Sequence, residues 1–254
     1  MPELTRPDTT IHFREAGSGP AILITHGYSA TSYMWRDTLD ALAADYHAIA
    51  WDIRGHGGSD SPDDPALYSR DSSLDDMDAL LDYAGADDAI LMGHSLGGYL
   101  SLAYAVTRPQ RVRALVLVGT GPGYRKAEAR DGWNKQAEGR ARYFEKHGVD
   151  DLDSPAAHGG EHTSAAGLAR AARGILAQDD ALVMDHLKEI AVPALVVVGA
   201  DDTPFRGASD YLASRLPDAR LVVLEGAGHL TNLDAPAAFD EALQAFLKEL
   251  DGKG

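Results

Sequence analysis

Five short runs in this 254-residue chain are apolar almost from end to end: 21–25, 47–51, 89–92, 114–118 and 194–198. A strand with one face in water alternates polar with apolar residues, so unbroken runs predict strands covered on both faces. The stretches between them carry helical spacing instead. Trp35, Leu39, Leu42 and Ala43 recur at helical intervals, as do Leu74, Met77, Leu80 and Leu81, and then Leu96, Tyr99, Leu100, Ala103 and Tyr104. Strands alternating with helices pair in parallel, because each crossover helix carries the chain back to the starting edge. An α/β fold is expected, with a mostly parallel central sheet flanked by helices on both faces. Residues 11–15 read as a first strand, and Asp71-Ser72-Ser73 as the cap of the second helix. A helix over about 207–215, a strand over 221–224 and an amphipathic helix opened by Pro236 complete the chain.

The rhythm breaks at Gly119-Thr120-Gly121-Pro122-Gly123. From Tyr124 to His186 there are helical patches and no strand candidate, and the sheet resumes after Pro193. Residues 123–186 are therefore expected to be a helical cap inserted into a core of 1–122 and 187–254. As a cap, the segment should set which acyl chains enter the site.

Between the run at 89–92 and the helical pattern after it lies Gly93-His94-Ser95-Leu96-Gly97. A G-x-S-x-G between strand and helix is a nucleophile elbow: the turn is so sharp that side chains at the two glycines would collide with their neighbours. Serine alone is a poor nucleophile, needing a base to take its proton and an acid to hold that base in the right tautomer. Parallel strands deliver their C-terminal ends to one edge of the sheet, and two late strands end there in Gly199-Ala200-Asp201-Asp202 and Gly226-Ala227-Gly228-His229. The order along the chain is serine, aspartate, histidine.

That order, with His26-Gly27-Tyr28, the glycine loop 52–59, Gly93 to Gly98 and the two late loops, makes the chain similar to the α/β-hydrolase superfamily, esterase-like branch. The resemblance implies Ser95 as nucleophile, His229 as general base and acid, and an aspartate from the Asp201-Asp202 pair. Family members place that aspartate three residues beyond the glycine ending the strand, which from Gly199 is Asp202. The resemblance also implies an oxyanion hole from the backbone N–H groups of Tyr28 and Leu96. Superfamily members that open epoxides or remove halide carry aspartate at the elbow. Serine there points to acyl chemistry on esters, lactones or thioesters, or to cleavage of an activated C–C bond.

Bulky residues expected near the substrate are Trp35, Tyr99, Tyr124, Trp133, Phe205 and Leu230, which would make an apolar, aromatic pocket for a small uncharged acyl group. His26 is expected to brace the oxyanion loop, His94 to pack, and Asp52, Arg54 and His56 to form a structural hydrogen-bond network. His158-Gly159-Gly160-Glu161-His162 matches the H-x-x-E-H spacing of some zinc peptidases, but two glycines make the required helix costly, and no metal or cofactor is expected.

A formal charge of −16 argues against nucleic acid or an anionic membrane as partner. The paired aspartates (63–64, 75–76, 87–88, 179–180 among them) read as a solvated surface. No cysteine is present, which suits a reducing compartment, and no apolar leader opens the chain, so a cytoplasmic protein acting on a small ester is expected. The sequence favours no oligomeric state. A C–C hydrolase or enol-lactonase of aromatic degradation is the alternative; its carboxylate-bearing substrates would need a cationic pocket residue, for which Arg125, Arg130 and Arg206 are candidates. A slow-turnover receptor of the same fold is a third reading.

Overall fold

Each long apolar run becomes a strand because its alternate residues enter two different cores. In the computed structural model, which describes residues 2–149, 152, 155–157 and 162–252, the strands are β1 (Glu3–Thr5), β2 (Thr10–Ala16), β3 (Ala21–Thr25), β4 (His47–Trp51), β5 (Ala89–His94), β6 (Val112–Val118), β7 (Ala194–Gly199) and β8 (Ala219–Leu224). They form one sheet in the order β1-β2-β4-β3-β5-β6-β7-β8, parallel from β4 to β8 and antiparallel at the β1–β2 and β2–β4 pairings. Leu23, Ile49, Leu91 and Leu115 point to one core, and Ile22, Ile24, Ala50, Ile90, Met92 and Val116 to the other. Each of these side chains except the smaller Ala50, taken fully out of water, is worth roughly 1.5–3 kcal/mol. β1 was not expected: three residues carry no readable period.

The helices are α1 (Arg36–Leu42), α2 (Arg70–Tyr83), α3 (Leu96–Thr107), α4 (Ala127–His147), α5 (Ala165–Ala171), α6 (Leu182–His186), α7 (Thr203–Arg215), α8 (Thr231–Asp234) and α9 (Pro236–Asp251). Two differ from expectation at their starts. The cap of α2 is Ser69, whose hydroxyl accepts the Ser72 N–H at 3.0 Å; Asp71, Ser72 and Ser73 lie inside the helix. α7 opens at Thr203 with Pro204 in its first turn, where a missing N–H costs nothing, and so brings Phe205 to the sheet edge. Nor are the paired aspartates all solvated: Asp76 is fully buried, clasping buried Arg54 at 2.6 Å. No helix among the described residues is long and apolar enough to cross a membrane.

Between β6 and β7 the described residues form helices and no strand. α4 packs on α5 and on the π-helical turn Ala172–Leu176 that continues it.

Candidate active site

The chain leaves β5, turns at Ser95 and enters α3. Ser95 has φ +52°, a left-handed value shared by only one other non-glycine among the described residues, Ser29 at +58°. Such a backbone costs on the order of 1–3 kcal/mol and persists only where its surroundings hold it. Here the Ser95 N–H donates to Val118 O at 2.9 Å, and its carbonyl accepts the Thr120 hydroxyl at 2.6 Å. The glycines are needed for contact: a Cβ on Gly93 would lie 2.3 Å from the Gly97 carbonyl, and one on Gly97 2.3 Å from the Thr25 oxygen. Among the described residues nothing hydrogen-bonds the Ser95 hydroxyl, which opens into a cavity of about 270 Å³.

β7 and β8 bring two further groups to this edge. Asp202, 3% exposed, receives His229 Nδ1 at 2.7 Å, whereas Asp201 is exposed. A carboxylate is an acceptor, so Nδ1 carries the proton and Nε2 is left free to take one. The imidazole stacks on Phe205 at 4.7 Å, with the His94 ring 4.6 Å away. His94 does more than pack: its Nε2–H donates to the His229 carbonyl at 2.9 Å and anchors the histidine loop to the elbow. Burial, then the neighbouring His229, pushes His94 down to about 3.

The loop after β3 meets the elbow from the other side. A Cβ on Gly27 would sit 3.2 Å from Ser95 Cβ, so backbone alone fits there. Beneath it, His26 Nδ1–H donates to Gly27 O at 2.6 Å and Nε2 accepts the Ile53 N–H at 3.0 Å. His162 performs the same service from the segment between β6 and β7, bonding Gly57 N–H at 3.0 Å and Ser29 O at 3.1 Å. The Tyr28 hydroxyl donates to Leu168 O at 2.9 Å. Neither the Tyr28 nor the Leu96 backbone N–H has a protein acceptor among the described residues. Two free amides beside a strained serine are an arrangement that can hold a developing oxyanion.

Asp52, Arg54 and His56 stay outside the cavity. Burial would raise Asp52, but His12 at 2.7 Å and the Ser32 and Gly58 N–H groups outweigh it and hold the carboxyl down to about 2. His158, Gly159, Gly160 and Glu161 lie outside the described residues, among which no cluster of three potential metal ligands occurs.

The cavity is lined by Tyr99, Tyr124, Trp133 and Phe205. Trp35 and Leu230, expected there, are not among its lining residues. Trp35 is fully buried against Phe239 of α9, in the core on one face of the sheet, because the 3₁₀ turn Ser32–Trp35 directs it inward; Leu230 packs on that same core. The sequence reading missed Thr120, Gln136, Leu176, Gln178, Pro204 and Ala208, which with residues 121–123 complete the wall. Thr120 had a signal, its place just after β6; Gln178 had none.

His26, His56 and His94 are buried and His162 is half-buried, and burial disfavours the charged form of all four. Desolvation pushes His26 down to about 4 and His94 to about 3, drives His56 well below its ordinary value and lowers His162. Unfolded, each would bind a proton from about pH 6.5 downward, so the stability of the neutral forms is complete above that pH and is lost as pH falls towards the folded values. His26 and His94, whose folded values are the ones fixed, each contribute about 1.4 kcal/mol per pH unit in that window. Thermal melts should show Tm falling by on the order of 10 °C between pH 7 and 5; a flat Tm across that range would refute the assignment.

A family profile described as "alpha/beta hydrolase fold" matches residues 20–157. A putative carbamate hydrolase, RutD, of Pseudomonas savastanoi is 30% identical over 93% of this chain and 97% of its own length. The 3-oxoadipate enol-lactonase 2 of Acinetobacter baylyi is 27% identical over 98% and 97%. Among solved structures, MenH from S. aureus superposes with a TM-score of 0.84 at 23% identity, covering 95% of this chain and 98% of that one.

Proposed function

This chain belongs to the α/β-hydrolase family and is a hydrolase in its general class; from that premise we propose that it cleaves a carboxylic ester of a small, uncharged acid through an acyl-enzyme. Residues 123–186 act as its cap. The observation that carries the reading is the chemistry of the cavity wall: aromatic rings, Leu96, Leu176, Thr120 and the neutral amides of Gln136 and Gln178, with no charged side chain among the lining residues. A buried carboxylate without a cationic partner is expensive. The three candidate arginines are engaged elsewhere. Arg125 pairs with Asp185 at 2.9 Å, Arg130 donates to the Tyr124 and Arg125 carbonyls, and Arg206 pairs with Asp210 at 3.0 Å.

In the proposed reaction Ser95 Oγ attacks the ester carbonyl while its proton passes to His229 Nε2. The Tyr28 and Leu96 N–H groups hold the oxyanion, and Asp202 stabilises the imidazolium. Collapse breaks the C–O bond, and His229 returns the proton to the leaving alkoxide. Water, deprotonated by the same nitrogen, then attacks the acyl-Ser95 carbonyl and releases acid and serine.

The enol-lactone of a diacid such as 3-oxoadipate keeps one free carboxylate, and its hydrolase is a whole-length relative, so that substrate type is the competitor to measure. A panel of p-nitrophenyl esters from acetate to long-chain acids, run beside a carboxylate-bearing dienone and an enol-lactone, decides between them. Uncharged short esters should exceed the charged substrates in kcat/KM by about 100-fold or more, the scale of an unpaired buried charge. A preference for the charged substrates overturns the proposal, and absence of turnover on every ester favours a receptor.

A further inference from the structure

Gln178 is 8% exposed and lines the cavity that contains Ser95, yet half of its amide has no partner among the described residues. The backbone places it firmly. The π-helical turn ends at Leu176, whose carbonyl accepts the Trp133 indole N–H at 2.8 Å. Gln178 then pairs with Asn134 twice, its own N–H donating to Oδ1 at 2.8 Å and its carbonyl accepting Nδ2–H at 3.1 Å. The side-chain amide lies flat on Gly123, where a Cβ would come within 2.7 Å of Oε1 and 3.2 Å of Nε2.

The orientation of that amide follows from its one bond. The Tyr124 backbone N–H is a donor, and the atom 3.2 Å from it must be the oxygen. Nε2 is thereby turned away, and no acceptor among the described residues meets it. In a wall that is otherwise mostly apolar and aromatic, with the Thr120 hydroxyl already bonded to Ser95 O and the Gln136 amide exposed to water, a fixed and half-free N–H donor is the pattern by which small-molecule sites orient their ligands. The oxygens of the scissile ester are already served: the carbonyl by Tyr28 and Leu96, the leaving oxygen by His229. The Gln178 donor is left for a third oxygen. That oxygen is uncharged, because a carboxylate would find no cationic side chain among the lining residues and only neutral donors to replace its hydration.

We propose that Gln178 is a specificity residue whose Nε2–H donates to an uncharged oxygen (ketone, ether or amide carbonyl) carried by the substrate beyond the scissile ester. The favoured substrates are then oxygen-functionalised esters in preference to plain alkanoates. This rests on the ester-hydrolase reading above. Because Gln178 lines a cavity that admits water, an unmatched substrate leaves its amide to water, and the discrimination is that of one net hydrogen bond, about tenfold.

The experiment compares p-nitrophenyl 4-oxopentanoate with pentanoate, and 5-oxohexanoate with hexanoate, in wild type, Gln178→Met and Gln178→Glu at pH 8. Gln178→Met keeps the length without a donor. Gln178→Glu keeps an acceptor for the Tyr124 N–H, which guards against a folding defect, and offers the ketone only repulsion. Intrinsic ester reactivity cancels when each oxo-to-plain ratio of kcat/KM is divided by the same ratio in a variant. For at least one pair, wild type should exceed both variants about tenfold. Equal ratios in all three proteins for both pairs overturn the proposal. If no ester is hydrolysed, the hydrolase reading fails separately, and calorimetric titration of methyl 4-oxopentanoate and methyl pentanoate into wild type and Gln178→Met still reads the contact. An oxo preference in Kd confined to wild type supports it, and equal preference in both refutes it.

Discussion

Ser95→Ala should fold as wild type does and lose on the order of 10⁴- to 10⁶-fold in kcat on any ester the protein hydrolyses. The scale is that of removing the nucleophilic serine from serine proteases, where what survives is binding and oxyanion stabilisation. The reason to expect no folding defect lies in the backbone. Ser95 holds φ +52° through the bonds of its own N–H and carbonyl to Val118 and Thr120, and among the described residues its hydroxyl bonds nothing. Alanine carries the same Cβ and pays the same strain, so Tm should move little. Ser95→Gly is the informative partner, because glycine adopts this φ freely; it should be equally inactive yet more stable by up to about 1–3 kcal/mol. A fluorophosphonate should label wild type at Ser95 and leave both variants unlabelled. Labelling at another serine, or residual turnover within tenfold of wild type, would remove Ser95 from the mechanism.

Asp202→Asn and Asp201→Asn should separate by about three orders of magnitude. Asp202 is buried with His229 Nδ1 at 2.7 Å, and its neighbour is exposed to water. Asparagine at 202 keeps the shape but loses the charge that stabilises imidazolium, and its amide favours the wrong tautomer. In the serine-protease case such a change costs on the order of 10⁴ in kcat. Asp201→Asn removes only a solvated charge near the site and should cost less than about tenfold, or roughly 1.4 kcal/mol. Both are read as kcat on one ester at one pH. If Asp201→Asn is the crippled variant, the carboxylate that orients His229 in solution is the other one.

The two variants also show where the sequence was sufficient. Asp201 and Asp202 are the same residue type in adjacent places, and no local pattern separates them. Counting from Gly199 by resemblance to a family selects one. The structure gives the cause: the Asp202 N–H turns back to the Gly199 carbonyl, so its side chain faces inward as α7 begins. Similarly, the helix expected over about 207–215 begins at Thr203, and Pro204 in its first turn was a readable signal for that earlier start.

What the sequence determined by itself was everything with a short period or a short-range steric rule. Unbroken apolar runs required strands buried on both faces, their alternation with helices required parallel pairing, and Gly93 and Gly97 required a sharp turn at Ser95. These hold because residues within a few positions of one another already decide the backbone. Which side chains meet across the fold was decided only by tertiary structure. Trp35 and Trp133 are both aromatic residues at helical spacing. One is walled in by Phe239, some two hundred residues along the chain; the other hangs its indole on Leu176 and faces the cavity. His162 supports a loop more than a hundred residues earlier, and Gln178 takes its direction from Tyr124. No window of sequence contains both members of these pairs. Their contacts form only when the sheet has brought its loops to one edge, and there the packing of distant segments sets which polar atoms are left free for a substrate.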